Sequence, residues 1–391
     1  MQGILIVGAG FAGATHAREL AEAGWRVDVI DRRQHVAGNA FDEVDDTGVR
    51  RHVYGPHLFH TSSDRVAAWL GRFAAFTPYE HRVSAWVPAI GRCVPLPVNR
   101  TTVNAVFGQS LATAEEVRAF LARLAIPHDS PRNAAEYLNA KLGIELTDLL
   151  YRPYTLKMWG LHLEEMAASV VQRIPIRNDD EDRYFPGDTF QGLPSGGYTE
   201  LVERILDHPA IRVTTGVAFS RSMLRDYEFC FNSMAIDEYF DYALGPLPYR
   251  SIRFHHRREP MSYALGETVQ VNFADAGKYT RQNDWSRLPG HLVRPGDVKT
   301  VTLEEPCADT DNDMERYYPV KTSDGAPEAL YRRYQELAGA EPRIQFIGRC
   351  GTYRYLDMDQ VINQSLQGAR GWLASGSGSS AHRMASLLQK S

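Results

Sequence analysis

Apolar residues fill positions 4–7 without interruption, the pattern of a strand buried on both faces of a parallel sheet. Helical spacing follows, with Ala14, Ala17, Leu20 and Ala21 on one face and Gly24 ending the segment. Residues 26–30 then read as a second strand, closed by Asp31. Between 79 and 97 apolar and polar residues alternate, with Val83, Ala85 and Val87 on one face, which predicts a hairpin covering one side of a cleft. Pro95, Pro97 and Asn99 break that sheet. From about 101 to 168 the period turns helical, with Val117, Phe120, Leu121 and Leu124 sharing a face. Three later stretches, 211–219, 269–273 and 298–303, are rich in β-formers and predict an antiparallel sheet. A strand at 344–347 ending in Gly348 is expected to return to the N-terminal sheet, and 375–380 predicts a Gly/Ser-rich connector before a last short helix.

Composition narrows the function classes. The 391 residues leave room for two or three domains and a large core, and 43% hydrophobic with 23% charged residues is the make-up of an ordinary globular protein. A net charge of -5 argues against a nucleic-acid partner, while leaving open a local basic pocket for one diphosphate. Cys93, Cys230, Cys307 and Cys350 form no C-x-x-C pair and match neither a disulfide framework nor a zinc site. The chain runs directly into its first strand with no signal-like segment, and no apolar stretch approaches the ~20 residues that span a bilayer. A cytoplasmic protein without membrane association is the expectation.

Gly8, Gly10 and Gly13 form a full G-x-G-x-x-G between the first strand and the first helix. Gly8 permits the tight turn, Gly10 lets the backbone approach a pyrophosphate, and Gly13 lets the helix pack closely on the strand. The helix N-terminus offers unpaired N–H groups to phosphates. Asp31 stands about 20 residues on, where a carboxylate binds the ribose hydroxyls of an adenosine. The motif by itself does not separate NAD from FAD. A second glycine turn at Gly38-Asn39 brings further N–H groups to the same diphosphate, and Gly55-Pro56-His57-Leu58-Phe59-His60-Thr61 supplies a rigid turn with two imidazoles. No further ligand lies at metal spacing from His57 and His60, and no Ser/His/Asp set or committed carboxylate pair is apparent.

In these features, and in the motifs that follow them, the chain resembles the bacterial-type UDP-galactopyranose mutases. Tyr154-Thr155-Leu156-Lys157-Met158-Trp159-Gly160 is similar to the family's Y-T-x-K-x-W-G, and the run from Gly351 through Tyr355-Leu356-Asp357-Met358 to its strip beside the isoalloxazine. Ala37 stands where the family often has a glycine, and His81 where it often has asparagine. The resemblance implies an α/β fold with a discontinuous Rossmann-like FAD-binding domain (1–78, 210–240 and 340–391). It adds an inserted helical subdomain (100–170) and an antiparallel-sheet substrate domain with a mobile loop (79–99, 171–209 and 241–339). It implies a homodimer and an electron donor such as NAD(P)H. The implied reaction is a redox-neutral interconversion of UDP-galactopyranose and UDP-galactofuranose, in which reduced FAD attacks the anomeric carbon through N5 and UDP leaves. A mutase acting on another nucleotide sugar, and a flavin oxidase or dehydrogenase of the same fold, are the competing readings.

The same resemblance distributes the site. FAD is expected against Gly8, Gly10, Phe11, Gly13, Asp31 and Arg32, the turn at Gly38 and Asn39, His57, Arg349, and Leu356 to Met358. Tyr154 is expected to stack on uracil, with Thr155 beside it and Trp159 on the mobile loop that closes the pocket. Tyr184, Phe185 and Asn272 are expected on the substrate. Arg177, a loop arginine able to swing over a diphosphate, and Arg281 are expected to hold the leaving group, aided by Tyr318 and Tyr355. His60 and Asp357 complete the catalytic set.

Overall fold

The computed structural model describes residues 3–375, so the connector and terminal helix expected beyond Ser375 lie outside the described residues. Five parallel strands lie in the order Ile211–Thr215, Val27–Asp31, Gly3–Val7, Tyr227–Asn232, Ile344–Phe346. Because successive strand side chains point to opposite faces, the aliphatic run serves two cores at once. Ile4 and Ile6 pack with Ala14, Ala17 and Leu20 of helix Phe11–Glu22 and with Leu366 of helix Met358–Ala374. Leu5 and Val7 pack on the other face with Ile30, Cys230 and Tyr239. This is the α/β Rossmann-like architecture, with strand 344–346 returning to the N-terminal sheet.

One expectation changes here. Residues 211–215 do not join an antiparallel sheet; Ile211–Thr215 is the outer strand of the parallel one, paired with Val27–Asp31. Its alternating half-buried pattern marks an edge strand but carries no information about its partner.

The second sheet has seven strands, in the order Tyr318–Pro319, Tyr249–Pro260, Val298–Ala308, Arg281–Asp284, Gln270–Phe273, Val83–Val87, Arg92–Leu96. All its pairings are antiparallel except that of Gln270–Phe273 with Val83–Val87. The hairpin at 83–96 is the one expected from alternation. A three-stranded sheet of Phe59–Thr61, Phe190–Pro194 and Phe76–Pro78 ties the histidine segment to the end of the long loop at 173–189.

Between the hairpin and that loop the chain is helical: Arg100–Phe107, Ala114–Leu124, Ala134–Leu146, a π-helical turn at Thr147–Tyr151, Arg152–Trp159 and Ala168–Gln172. Val117, Leu121, Leu138, Leu142 and Leu146 form their common core. Thr113 and Glu116 cap the second of these helices reciprocally, satisfying N–H groups that the first turn leaves free. Trp159 is the last residue of its helix, stopped by Gly160 at φ 67, so it stands on a helix end and not on the loop at 173–189. Among the described residues no helix is long and apolar enough to cross a membrane.

Candidate active site

A cavity of about 300 Å³ lies along the C-terminal ends of the parallel strands. Its floor is the first glycine turn. A Cβ on Gly8 would sit 1.9 Å from Ser233 Oγ, and one on Gly38 would sit 3.1 Å from the Cα of Gly10, so both turns approach the cavity as bare backbone. Helix Phe11–Glu22 starts at Gly10 with no side-chain cap, which leaves its first N–H groups for a ligand. Asp31 is buried and accepts the backbone N–H groups of Ala9 (2.8 Å) and Arg33 (2.9 Å), so its carboxylate is held at the cavity edge. Bare backbone for a diphosphate, a helix N-terminus and a fixed acid fit a dinucleotide.

Most of the expected cofactor residues meet in this cavity. Gly8, Gly10, Phe11, Asp31 and Arg32 line it from the first strand–helix–strand unit. Gly38, Asn39 and His57 come from the segments that follow, and Arg349, Leu356 and Met358 from the C-terminal part. Gly13 does not line it. A Cβ there would lie 1.9 Å from the Gly8 carbonyl, so Gly13 serves the packing of helix on strand.

A second cavity of about 180 Å³ opens beside the first, and Asn39, His57, Arg349 and Met358 line both. Its walls include His60, Tyr184, Phe185, Arg281, Tyr318, Tyr355 and Asp357. Tyr318 and Tyr355 stack at 5.3 Å and 14°. Arg281 comes from the mixed sheet, where register sets it opposite Glu304, and its Nε donates to that buried carboxylate at 2.6 Å. Burial opposes the charge of Arg281, but Glu304 overrides it and keeps the guanidinium firmly protonated. Asn283 donates to the other Glu304 oxygen at 2.7 Å. Arg349 is different. Its two Nη groups donate to the carbonyls of Tyr317 (3.2 Å) and Leu356 (2.6 Å), and among the described residues no carboxylate pairs with it. Its guanidinium lies 5.5 and 5.0 Å from the centroids of Tyr318 and Tyr355. The junction of the two cavities thus carries a positive charge that the protein does not neutralise.

Two of the imidazoles here, His57 and His81, are neutral at pH 7. Burial pushes His57 down to about 4 and His81 to about 3. His57 Nδ1 lies 2.9 Å from the Gly55 carbonyl, so it carries the proton and leaves Nε2 as an acceptor. His60 Nδ1 contacts Asp188 at 2.6 Å, and its ring stacks on Phe185 at 3.5 Å. Burial pushes the Tyr318 phenol up to about 12.

Other expected residues stand off one or both cavities. Arg177 turns onto its own loop, donating to the carbonyls of Glu181 (3.0 Å) and Arg183 (2.7 Å), and Asp180 pairs with Arg100. Tyr154 packs behind the wall with Met158, Ile252 and Tyr317. Thr155 is buried in its helix. Trp159 meets Tyr318 edge-on at 6.1 Å. Asn272 accepts from Gln270 at 2.9 Å, and it is Gln270 that reaches the cavity. Asp357 belongs to the smaller cavity only, where it pairs with Arg173 at 3.0 Å.

Four participants were not foreseen: Arg173, whose guanidinium covers Tyr355 at 3.9 Å, Gln270, Glu304 and Glu315. The sequence held a signal for one of them. Gln270 sits two residues before Asn272 and therefore shares its strand face.

The fold and the two joined cavities define a Rossmann-like flavoprotein with a ligand pocket beside the cofactor's place. A family model described as UDP-galactopyranose mutase matches residues 149–355, and one described as an NAD(P)-binding Rossmann-like domain matches 6–73. The chain belongs to the UDP-galactopyranose mutase family. It is 36% identical over 377 residues to a probable UDP-galactopyranose mutase of Klebsiella pneumoniae, covering 95% of both chains. It is 34% identical to a dTDP-fucopyranose mutase of Escherichia coli, covering 95% of this chain and 98% of the relative. A crystal structure of reduced UDP-galactopyranose mutase superposes with a TM-score of 0.73 at 17% identity, over 96% of this chain and 94% of that one.

Proposed function

We propose that this protein is a flavin-dependent, redox-neutral isomerase that interconverts UDP-galactopyranose and UDP-galactofuranose. The observation that carries the reading is the junction of the two cavities, where His57, Met358 and the carboxylate-free Arg349 are shared between them. The chemistry FAD supplies when bound and reduced is a nucleophilic nitrogen, N5, for the anomeric carbon, with UDP leaving and no net change of oxidation level. In this reading Arg349 and Arg281 hold the diphosphate as negative charge develops on it. Tyr318, kept as a phenol by its burial, donates a hydrogen bond without adding charge. His57 accepts through Nε2, and the stacked His60 and Phe185 pack against the sugar side. Arg177 joins the diphosphate only when it releases the carbonyls of its own loop. An electron donor such as NAD(P)H keeps the cofactor reduced, and the enzyme works as a homodimer.

A second reading, a mutase acting on a dTDP-6-deoxyhexose, is favoured by the 34% identity to the Escherichia coli relative. One experiment separates the two. The purified protein is loaded with FAD, reduced with dithionite, and offered UDP-galactofuranose and dTDP-fucopyranose separately, with products followed by chromatography. Conversion of the first only in the reduced state, without net consumption of reductant, is expected. A folded, loaded and reduced enzyme that leaves it untouched would overturn this substrate assignment, and turnover of the dTDP-sugar alone would carry the second reading.

A further inference from the structure

Residues 313–316 lie in the connection between two strands of the mixed sheet, Val298–Ala308 and Tyr318–Pro319, and Met314, Glu315 and Arg316 line the larger cavity together with Asp31 and Arg32. Asp313 (φ 50) and Met314 (φ 58) are consecutive non-glycine residues in the left-handed region. Such residues stay there only where surrounding contacts enforce it. The Met314 N–H donates to the Asp309 carbonyl at 3.0 Å, and the two residues that follow are held by two sets of ion pairs. Arg316 is buried and donates at 2.9 Å to both Asp237 and Asp309. Glu315 binds Arg33, and lies 3.3 Å from Arg32, whose other Nη is 3.9 Å from Glu238.

The two sets differ in what breaking them would cost. Opening the Arg316 pairs would strand a buried guanidinium and two carboxylates, so that end is an anchor. The Glu315 pairs are partly exposed, with side-chain accessibilities of 25% for Glu315, 15% for Arg33 and 46% for Arg32, so they open at lower cost and are screened by salt. Arg33 also donates to Asn39 at 2.8 Å and lies 4.2 Å over the Tyr54 ring. It therefore joins the second glycine turn, on one side of the cavity, to residues 313–316 on the other.

We propose that Glu315 is a cofactor-retention residue: its pairs with Arg32 and Arg33 latch residues 313–316 over the ribose end of the dinucleotide cavity, and bound FAD leaves only when the latch opens. The inference rests on the FAD reading and is independent of the sugar. It opposes a simple electrostatic expectation. FAD is an anion, so a Glu315 that merely competed for the two arginines would weaken binding, and its removal would tighten it.

The measurement is FAD release from the loaded protein, read as the rise of flavin fluorescence after dilution into buffer at ~0.05 M and ~0.5 M KCl, where screening lengths differ about threefold. Wild-type release is expected to accelerate several-fold with salt. Glu315→Gln is expected to release roughly tenfold faster at low salt and to have lost most of the salt response. Arg33→Glu combined with Glu315→Arg should recover slow release where Arg33→Glu alone does not. Release from Glu315→Gln that is unchanged or slower than wild type would overturn the latch. So would wild-type release indifferent to salt, which decides the matter even if the variants fail to fold. A wild-type protein that takes up no FAD would remove the cofactor reading and this inference with it, whereas a loaded protein with an unaltered Glu315→Gln variant removes the latch alone.

Discussion

Ala37 occupies the left-handed region at φ 69, immediately before the turn Gly38–Ala40, and its N–H donates to the Ala9 carbonyl at 2.9 Å. An L-residue there carries about 1–2 kcal/mol of strain that glycine would not. An ordinary buried Ala→Gly change loses about 0.8 kcal/mol of methyl burial and about 0.4–1 kcal/mol through the unfolded chain. At Ala37 the relief of strain offsets both. Ala37→Gly is therefore expected to leave the stability of the flavin-free protein within about 0.5 kcal/mol of wild type by urea denaturation. A loss of about 1.5 kcal/mol or more would show that the strain is not there. The sequence marked this position by the departure from glycine; it could not show that the departure falls on a residue with positive φ. Asp31 and Gly8 were legible for the opposite reason, since their roles follow from spacing within one short strand–helix–strand unit.

Helix Arg152–Trp159 shows how far legibility extends at the scale of elements. Its helical character was readable, with a proline in the first turn and Gly160 at the end. Its docking was not. Lys157 Nζ reaches the hairpin formed by Gln270–Phe273 and Arg281–Asp284, donating to the carbonyls of Phe273 and Tyr279 at 2.9 Å each and to Asp275 at 3.1 Å. Arg250 covers the helix's C-terminal carbonyls of Met158 (2.9 Å) and Lys157 (3.1 Å). These partners lie about 90 to 120 residues away in the chain, and no local pattern encodes them. The same limit hid Tyr249–Pro260: its sequence, RSIRFHHRREP after the tyrosine, lacks apolar alternation, and it is a strand because Val298–Ala308 pairs with it from Arg250↔Ala308 to Pro260↔Val298. Lys157→Met removes a part-buried cation from two carbonyls and should cost about 2–3 kcal/mol in urea denaturation. Because the hairpin carries Arg281, kcat/KM for the nucleotide sugar should fall with it. A loss under about 0.5 kcal/mol with unchanged kcat/KM would show that the helix is docked by its apolar face alone.

Buried imidazoles are distributed through the whole molecule, and together they set its pH response. His16 lies under the parallel sheet, its Nδ1 on the Ala12 carbonyl, and burial pushes it down to about 4. His57 is pushed to about 4 and His81, in the mixed-sheet half, to about 3. His52 and His291 face each other at 3.0 Å where the two halves meet, and burial lowers both. Since the backbone N–H of His57 donates to His52 Nδ1 at 3.0 Å, the pair has one consistent arrangement: His52 donates from Nε2, His291 accepts at Nε2, and His291 Nδ1 donates to the Pro289 carbonyl. A proton added to either ring breaks that chain. In the unfolded chain each of these histidines titrates near 6.5, so between pH 6.5 and about 4 the unfolded state binds more protons than the folded one. The stability they permit is complete above about pH 6.5 and lost as pH falls, at about 1.4 kcal/mol per pH unit for each fully titrating group. Carboxylates held low, such as Glu181 at about 2 through its bond from Arg183, add their loss only below about pH 4.5, so the upper window belongs to the imidazoles. Calorimetry should find Tm flat from pH 8 to 7 and falling steeply from 6.5 to 4.5. Unfolding at pH 5.5, compared in buffers of different ionisation enthalpy, should take up more than two protons. Uptake of one or none, or a Tm unchanged between pH 7 and 5, would mean that these rings protonate within the fold, and the neutral His57 on which the site geometry depends would fall with them.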